Sequence, residues 1–357
     1  WASCNTNIRT FRVAANTTIK LQNEGTYSNM FSECRYLTSA DFTGMDMSGH
    51  PTSFYHMFYN CLALQNVNLS NFDTYLCQNL EGMFQGCTTL STVDLSSFTF
   101  YSWPSVTNVT MKDMFKGCYM LENVKFPADS FNTIRVTDMS GMFEGCYKLA
   151  TIDLSSFNNP GVNNQTNAEL PITFTAQAMF KDCKSLTTVT FPTTMQMGSV
   201  ANTSSMFEGC SSLGDFNPSA MKPVAVTNMS SMFAMCVNMQ SIDLSGWTLA
   251  AGTTAINADR MFYYDYNLKN IFVGNGWYKD ATAKTLNFAA TSVDMFTGCR
   301  SIEGADGTRY QEGLTTTPGS YVYARVGSDG KNGGYLSAMR MVSGEESDGV
   351  YWSIDNN

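Results

Sequence analysis

Residues Val136–Phe157 read VTDMSGMFEGCYKLATIDLSSF, and the phrase at their centre returns along the whole chain. A Met-Phe pair, two further residues, usually a Cys, and an aliphatic three positions later begin at Met30, Met57, Met83, Met114, Met142, Met179, Met206, Met232, Met261 and Met295. Successive pairs stand 27, 26, 31, 28, 37, 27, 26, 29 and 34 residues apart. Self-similarity at such a period marks a solenoid, in which each repeat packs only on its neighbours. A solenoid presents a surface for binding.

Within Val136–Phe157, Ser140 is placed to cap a helix N-terminus. Met139, Met142 and Phe143 fall at i, i+3 and i+4, one face of a short helix, and Gly145 stands where a left-handed C-cap would end it. Such a helix, about one or two turns long, depends on tertiary packing. Cys146 and Leu149 turn the chain inward. Ile152-Asp153-Leu154 then alternates in-out-in, the period of a strand. The triplet recurs as Val67-Asn68-Leu69, Val93-Asp94-Leu95, Val124-Lys125-Phe126, Val189-Thr190-Phe191, Ile242-Asp243-Leu244 and Ile271-Phe272-Val273. Stacked in order, these strands lie parallel about 4.8 Å apart and form a curved slab. The expected core is Phe58, Phe84, Phe115, Phe143, Phe180, Phe207 and Phe233, with Cys87, Cys118, Cys146, Cys183, Cys210 and Cys236.

Eleven cysteines suggest a disulfide framework, but position argues otherwise. Nine fill one repeat slot, Cys77 takes a place held elsewhere by Val136, Val200 and Val226, and Asp265 stands where a tenth Cys would be. Free Cys packs as a small hydrophobe. With a helix in each repeat, neighbouring slots lie a helix width apart, roughly 10 Å, beyond the ~7 Å that a disulfide spans. The thiols are expected to be unpaired. His50 and His56 are the only histidines and there is no C-x-x-C pair, so neither a metal nor a cofactor is expected.

The 357 residues are 43% hydrophobic, ample for a continuous core. Charged residues are 14%, against about 25% in an average domain, so the polar surface is Asn, Thr, Ser and Gln. A net charge of −9 without a Lys/Arg stripe argues against a nucleic-acid partner. No window approaches the ~20 apolar residues of a membrane span. The chain opens on Trp1 without a signal peptide, as expected of a processed export product. Trp1-Ala2-Ser3-Cys4 loosely resembles a lipoprotein processing site, which makes lipid one mode of anchoring. No nucleophile elbow, P-loop or dinucleotide turn is present, and no enzyme is expected. The two histidines fit neither helical zinc spacing nor an obvious Ser/Asp partner. Asp94 and Asp153, two rungs or roughly 9.6 Å apart, match a glycosidase carboxylate pair in distance alone.

The phrase V-T-x-M-S-x-M-F-x-G-C-x-x-L-x-x-[IV]-D-L-S-x-F resembles the repeat of bacterial BspA-like leucine-rich-repeat surface proteins, in the lipoprotein variant of about 25 residues. Val136–Phe157 and Val226–Trp247 match it best, and the resemblance covers roughly residues 19–303. Gly319–Tyr335 is similar to the closing hairpin of such arrays. Asp265, Pro218 and Met239 depart from the pattern. The expected fold is α/β: a right-handed leucine-rich-repeat solenoid over residues 1–303, one short parallel strand and one short helix per repeat. An N-terminal cap in 1–27, with Ile19 and Leu21 in strand phase, and a C-terminal β-hairpin cap in 304–357 complete it. The resemblance implies export to the surface of host-associated bacteria and adhesion to a host extracellular protein or glycan. It supplies no catalytic residues.

Two surfaces could carry recognition. Extra residues between a strand and the next helix fall at about 99–108, 158–175, 248–257 and 274–290, and insertions on one solenoid edge are where recognition tends to live. Tyr101, Trp103, Trp277 and Tyr278 are their aromatic anchors; the alternative for each is a loop aromatic folded back on the core. Trp247 takes the slot of Phe98 and Phe157 and counts as core. The other surface is the solvent row of the sheet, notably Asp94, Lys125, Asp153 and Asp243, with Lys125 placed to attract both Asp94 and Asp153. The reading is a monomeric, non-enzymatic adhesion module. A spacer that displays other domains and a glycan-capture protein are the alternatives.

Overall fold

The structure, a computed structural model, describes residues 7–13, 26–45, 47, 49–100, 108–128, 131, 133, 136–157, 174–192, 200–214, 216, 218, 221, 226–247, 249, 255–280, 285–286, 288–289, 292–304, 309–310, 326–327 and 336–338. It is a parallel β-solenoid. The front strands include Ser39–Asp41, Asn66–Asn68, Thr92–Asp94, Asn123–Lys125, Thr151–Asp153, Thr188–Thr190, Ser241–Leu244 and Asn270–Val273. They share one register, with Ala40 opposite Val67, Val93 opposite Val124, Ile152 opposite Val189 and Ile242 opposite Ile271. The sequence dictates this: each central residue points inward, and a slip by one would expose the whole apolar row.

A second parallel sheet, not read from the sequence, runs through Val109–Thr110, Val136–Asp138, Phe174–Thr175 and Val200–Asn202. Single bridges extend it from Thr26 through Ser53 and Asn79 to Thr110, and from Asn202 through Asn228 to Asn257. Its rungs end in Ser, Thr, Asn or Asp, whose side-chain oxygen accepts the N–H two residues on. Asn79 accepts from Glu81 (2.9 Å), Asp138 from Ser140 (2.8 Å) and Asn228 from Ser230 (3.0 Å). These Asx turns lead the chain out of the sheet. Ser140 is therefore not a helix cap; its own N–H is capped by Asp138.

The helix expected in each repeat is absent, and no α-helix occurs among the described residues. Tight turns replace it. Two positions per coil adopt left-handed backbone: Gly141 (φ 61°) and Gly145 (φ 74°) in one coil, Ser231 (53°) and Met235 (62°) in another. A right-handed helix cannot contain such residues four apart. The backbone donors bond across coils instead: Gly141 to the Gln177 carbonyl, Phe143 to that of Met179 and Gly145 to that of Lys181, each 2.8 Å. A one-turn helix would leave those donors orphaned; the stacked arc satisfies them.

The arc consequently rises like a strand. Phe31, Phe58, Phe84, Phe115, Phe143, Phe180, Phe207, Phe233, Phe262 and Phe296 form one column with ring centroids 5.3–5.9 Å apart. That is little more than the ~4.8 Å between strands, so the back and front of the stack rise almost together.

This spacing also corrects the argument about thiols. Neighbouring cysteine slots are one rung apart, not a helix width, so distance does not forbid disulfides. Orientation does: eight slot thiols donate to the Phe carbonyl of the preceding coil, among them Cys61 to Phe31 (3.0 Å), Cys146 to Phe115 (3.3 Å), Cys210 to Phe180 (3.1 Å) and Cys299 to Phe262 (2.8 Å). All ten described cysteines are buried, and Cys61, Cys77, Cys87, Cys118, Cys146, Cys183, Cys210, Cys236 and Cys299 are free. Burial pushes the Cys77 thiol up to about 12. Asp265 is wholly buried in the ladder; one carboxyl oxygen accepts the Cys236 N–H at 2.8 Å and the other has no partner.

At the C-terminal end, Leu336–Ala338 pairs in parallel with Asn270–Val273 on one side and with Val326–Gly327 on the other. Parallel pairing replaces the expected hairpin and prolongs the front sheet. At the opposite end the first strand, Thr10–Arg12, pairs with Ser39–Asp41, whereas Ile19 and Leu21 lie outside the described residues.

Candidate functional site

The front sheet holds one outward row built from the alternation itself: Asp41, Asn68, Asp94, Lys125, Asp153, Thr190, Asp243 and Phe272. Much of its chemistry is spent locally. Asp94 and Asp153 each accept the N–H of the serine two residues on at 2.8 Å, and Asp243 accepts both the N–H (2.9 Å) and the hydroxyl (2.6 Å) of Ser245. The Lys125 ammonium donates to Asp94 at 3.1 Å, an exposed pair worth about 0–1 kcal/mol. Among the described residues it forms no ion pair with Asp153, so the three-way attraction expected from the sequence reduces to two partners. Partial burial opposes ionisation of Asp94, but the Ser96 hydroxyl and N–H and the Lys125 ammonium outweigh it and hold the carboxyl below its usual range. At Asp41 the Thr43 N–H, followed by its hydroxyl, does the same.

On the insertion edge, Tyr101 and Trp103 lie outside the described residues, and Tyr278 begins the strand Tyr278–Asp280. Trp277 is not an exposed anchor. It is 2% exposed, stacks on Trp247 with centroids 6.4 Å apart, and donates its indole N–H to the Leu244 carbonyl at 2.9 Å. Trp247 does likewise toward Pro218 at 3.0 Å. The short 3-10 turn Asn275–Trp277 delays Trp277 by one residue relative to Trp247, which put it in the insertion when spacing alone was counted.

The opposite edge of the front sheet carries side chains that sequence reasoning missed. In the two positions after the core Cys, or after Asp265 in its slot, Tyr36, Leu62, Tyr119, Met120, Tyr147 and Tyr266 are exposed large apolar groups. Tyr119 and Tyr147 stack at 4.9 Å with their planes 4° apart, and the Lys184 ammonium sits 4.7 Å over the Tyr147 ring. Gly117 and Gly145 flank the Tyr119 ring, which lies 3.9 and 3.8 Å from where a Cβ would stand, at ordinary van der Waals contact. The signal in sequence was an apolar residue just after Cys in coils whose core was already complete.

The histidines sit at the N-terminal end. His50 Nδ1 lies 2.5 Å from a carboxyl oxygen of Asp73, a partner that sequence spacing did not reveal. His56 stacks between Tyr55 (3.9 Å) and Tyr59 (4.5 Å), and burial lowers its pKa. Among the described residues, no group of three His, Cys, Asp or Glu could hold a metal ion, and no helix is long and apolar enough to cross a membrane.

These coils define a repeat protein whose core is a two-sheet parallel solenoid and whose surface chemistry lies on one sheet and its flanks. The chain belongs to the family described as Mycoplasma protein of unknown function, DUF285, which matches over residues 25–126, 100–168 and 174–304. A search of curated proteins found no match. Among solved structures, it is similar to a leucine-rich repeat protein from Bacteroides ovatus (14% identity, 83% of this chain, 74% of the other, TM-score 0.40). A leucine-rich cell surface protein from Faecalibacterium prausnitzii is also similar (19% identity, 83% and 86%, TM-score 0.28). A third is a chain of the TLR13–ssRNA13 complex (17% identity, 84% and 43%, TM-score 0.29).

Proposed function

We propose that this chain is a non-enzymatic recognition module of an exported bacterial surface protein, a monomeric leucine-rich-repeat solenoid over residues 1–303 with a C-terminal cap in 304–357. The observation that carries this reading is the division of labour within each coil. Met, Phe, Cys and Leu are consumed inside, while every front strand sends two side chains to solvent in a fixed register. A rigid, periodic, mostly polar surface costs little entropy to dock against. Its ligand is a host extracellular protein or a glycan. Tyr101, Trp103 and Tyr278 on the insertion edge, with Asp94, Lys125, Asp153 and Asp243 on the sheet, are the residues to test. Trp277 is withdrawn from that set by its burial. The experiment immobilises matrix proteins and mucins and compares the parent chain with Trp103→Ala and with Asp94→Ala/Lys125→Ala. Micromolar binding weakened by these changes supports the reading; uniformly flat responses remove it.

One observation favours a spacer without a ligand. The front-row Asp and Asn residues cap their own turns, a structural use that needs no partner. Retention of stability in the face of the same substitutions, without any binding, is what that alternative expects.

A further inference from the structure

We propose that the edge patch formed by Tyr119, Met120, Tyr147, Lys148 and Lys184 docks an acidic polypeptide segment that also carries apolar side chains. This rests on the recognition reading above and gives it a partner class. The patch is built rather than incidental. Tyr119, Met120 and Tyr147 are 44%, 44% and 38% exposed on adjacent coils, and the two rings are already stacked, so little side-chain freedom remains to be lost on binding.

Charge sets the sign of the partner. Lys148 and Lys184 are exposed and, among the described residues, neither forms an ion pair with a carboxylate. Glu122 and Asp182 are the carboxylates nearest them along their own coils, and among the described residues neither is ion-paired to either lysine, so two ammonium groups remain open beside the stacked rings. Such a pair attracts an anionic partner at short range.

Geometry separates a polypeptide from a sugar. Pyranose rings bind aromatics by lying on their faces. Tyr147 lies between Tyr119 of the preceding coil and Lys184 of the following one, so both faces are covered and only ring edges and hydroxyls point outward. Met120 beside them is a flexible thioether that adapts to irregular apolar side chains. Edges, a thioether and two ammonium groups suit alternating acidic and apolar side chains.

The test uses the full chain and a fluorescent peptide of alternating Glu and Leu, its Lys/Leu counterpart, and polysialic acid, read by fluorescence polarisation. The Glu/Leu peptide is expected to bind, the Lys/Leu peptide not to. Lys148→Glu/Lys184→Glu and, separately, Tyr147→Ala/Met120→Ala should each weaken binding about tenfold, with unchanged thermal melting. No binding of the Glu/Leu peptide, equal affinity in parent and variants, or preference for polysialic acid overturns the proposal. If the peptide fails while matrix proteins or mucins still bind through the front-sheet row, the recognition reading stands and this docking site falls. Failure of both panels removes both.

Discussion

Asp265→Cys restores the residue that the same slot holds in nine other coils, and the structure sets the size of its effect. Asp265 is fully buried between the coils of Cys236 and Cys299. Burial raises its pKa well above the ordinary carboxylate value, with only the Cys236 N–H opposing it. One oxygen is unpartnered, at a cost of about 1–3 kcal/mol. The replacement thiol would donate to the Phe233 carbonyl, as Cys236 does to Phe207 at 3.2 Å. The Cys236 N–H keeps its bond to the same Phe233 carbonyl at 3.2 Å, so no donor is orphaned. The variant should be more stable by about 1–3 kcal/mol near pH 4, where the carboxyl is protonated folded and unfolded, and by more at pH 7. The sign with pH follows from the raised carboxyl. The native state holds the proton where the unfolded state has lost it, so the parent's stability from this group is whole below about pH 4 and falls as pH rises toward the native value. The slope contributed is about 1.4 kcal/mol per pH unit. Urea unfolding of both proteins at pH 4.5, 6 and 7.5 reads the gap directly. A variant no more stable than the parent at pH 7.5, or a gap that does not widen with pH, would refute the reasoning.

Phe143 stacks between Phe115 and Phe180 at 5.5 Å each, so Phe143→Ala should cost about 3–5 kcal/mol; differential scanning calorimetry measures it. Met235 is exposed and left-handed at φ 62°, and Met235→Gly should raise stability by about 1 kcal/mol while Gly145→Ala lowers it by a similar amount. Opposite signs in paired urea titrations are the expected result, and equal signs would count against the left-handed turns. The ten described thiols should react with Ellman's reagent only on unfolding; rapid native reactivity would contradict their burial.

The coils were legible because their signals are redundant. Met-Phe, Cys and the Ile-Asp-Leu triplet repeat with a fixed phase, and inward and outward residues alternate strictly in the strands. The helix was misread for a definite reason. Met139, Met142 and Phe143 occupy helical spacing, but an arc of turns whose donors point to the next coil also places them inward. The decisive clue was Gly141 and Gly145 four residues apart, a pair of left-handed positions that no helix interior accepts. The second sheet hid behind short Val-Thr segments whose bonds are all between coils, invisible to a local window. The front-row residues were placed correctly by period, whereas Trp277 was displaced by a one-residue shift that spacing cannot resolve. The Tyr119–Tyr147 pair went unnoticed because a pattern reader discounts an aromatic after Cys as noise around a completed core.

The rise per coil on the turn side separates this account from a helix-backed solenoid most directly. Leu62 and Tyr266 are exposed and stand at matching places in coils seven steps apart. Steps of 5.3–5.8 Å between their coils' phenylalanines place them about 39 Å apart. Spin labels on Leu62→Cys/Tyr266→Cys, attached while the native thiols stay buried, should give an electron–electron distance near that value by pulsed dipolar spectroscopy. A helix in every repeat would separate them by about 70 Å, seven helix widths, and that distance would contradict the stacked-turn solenoid.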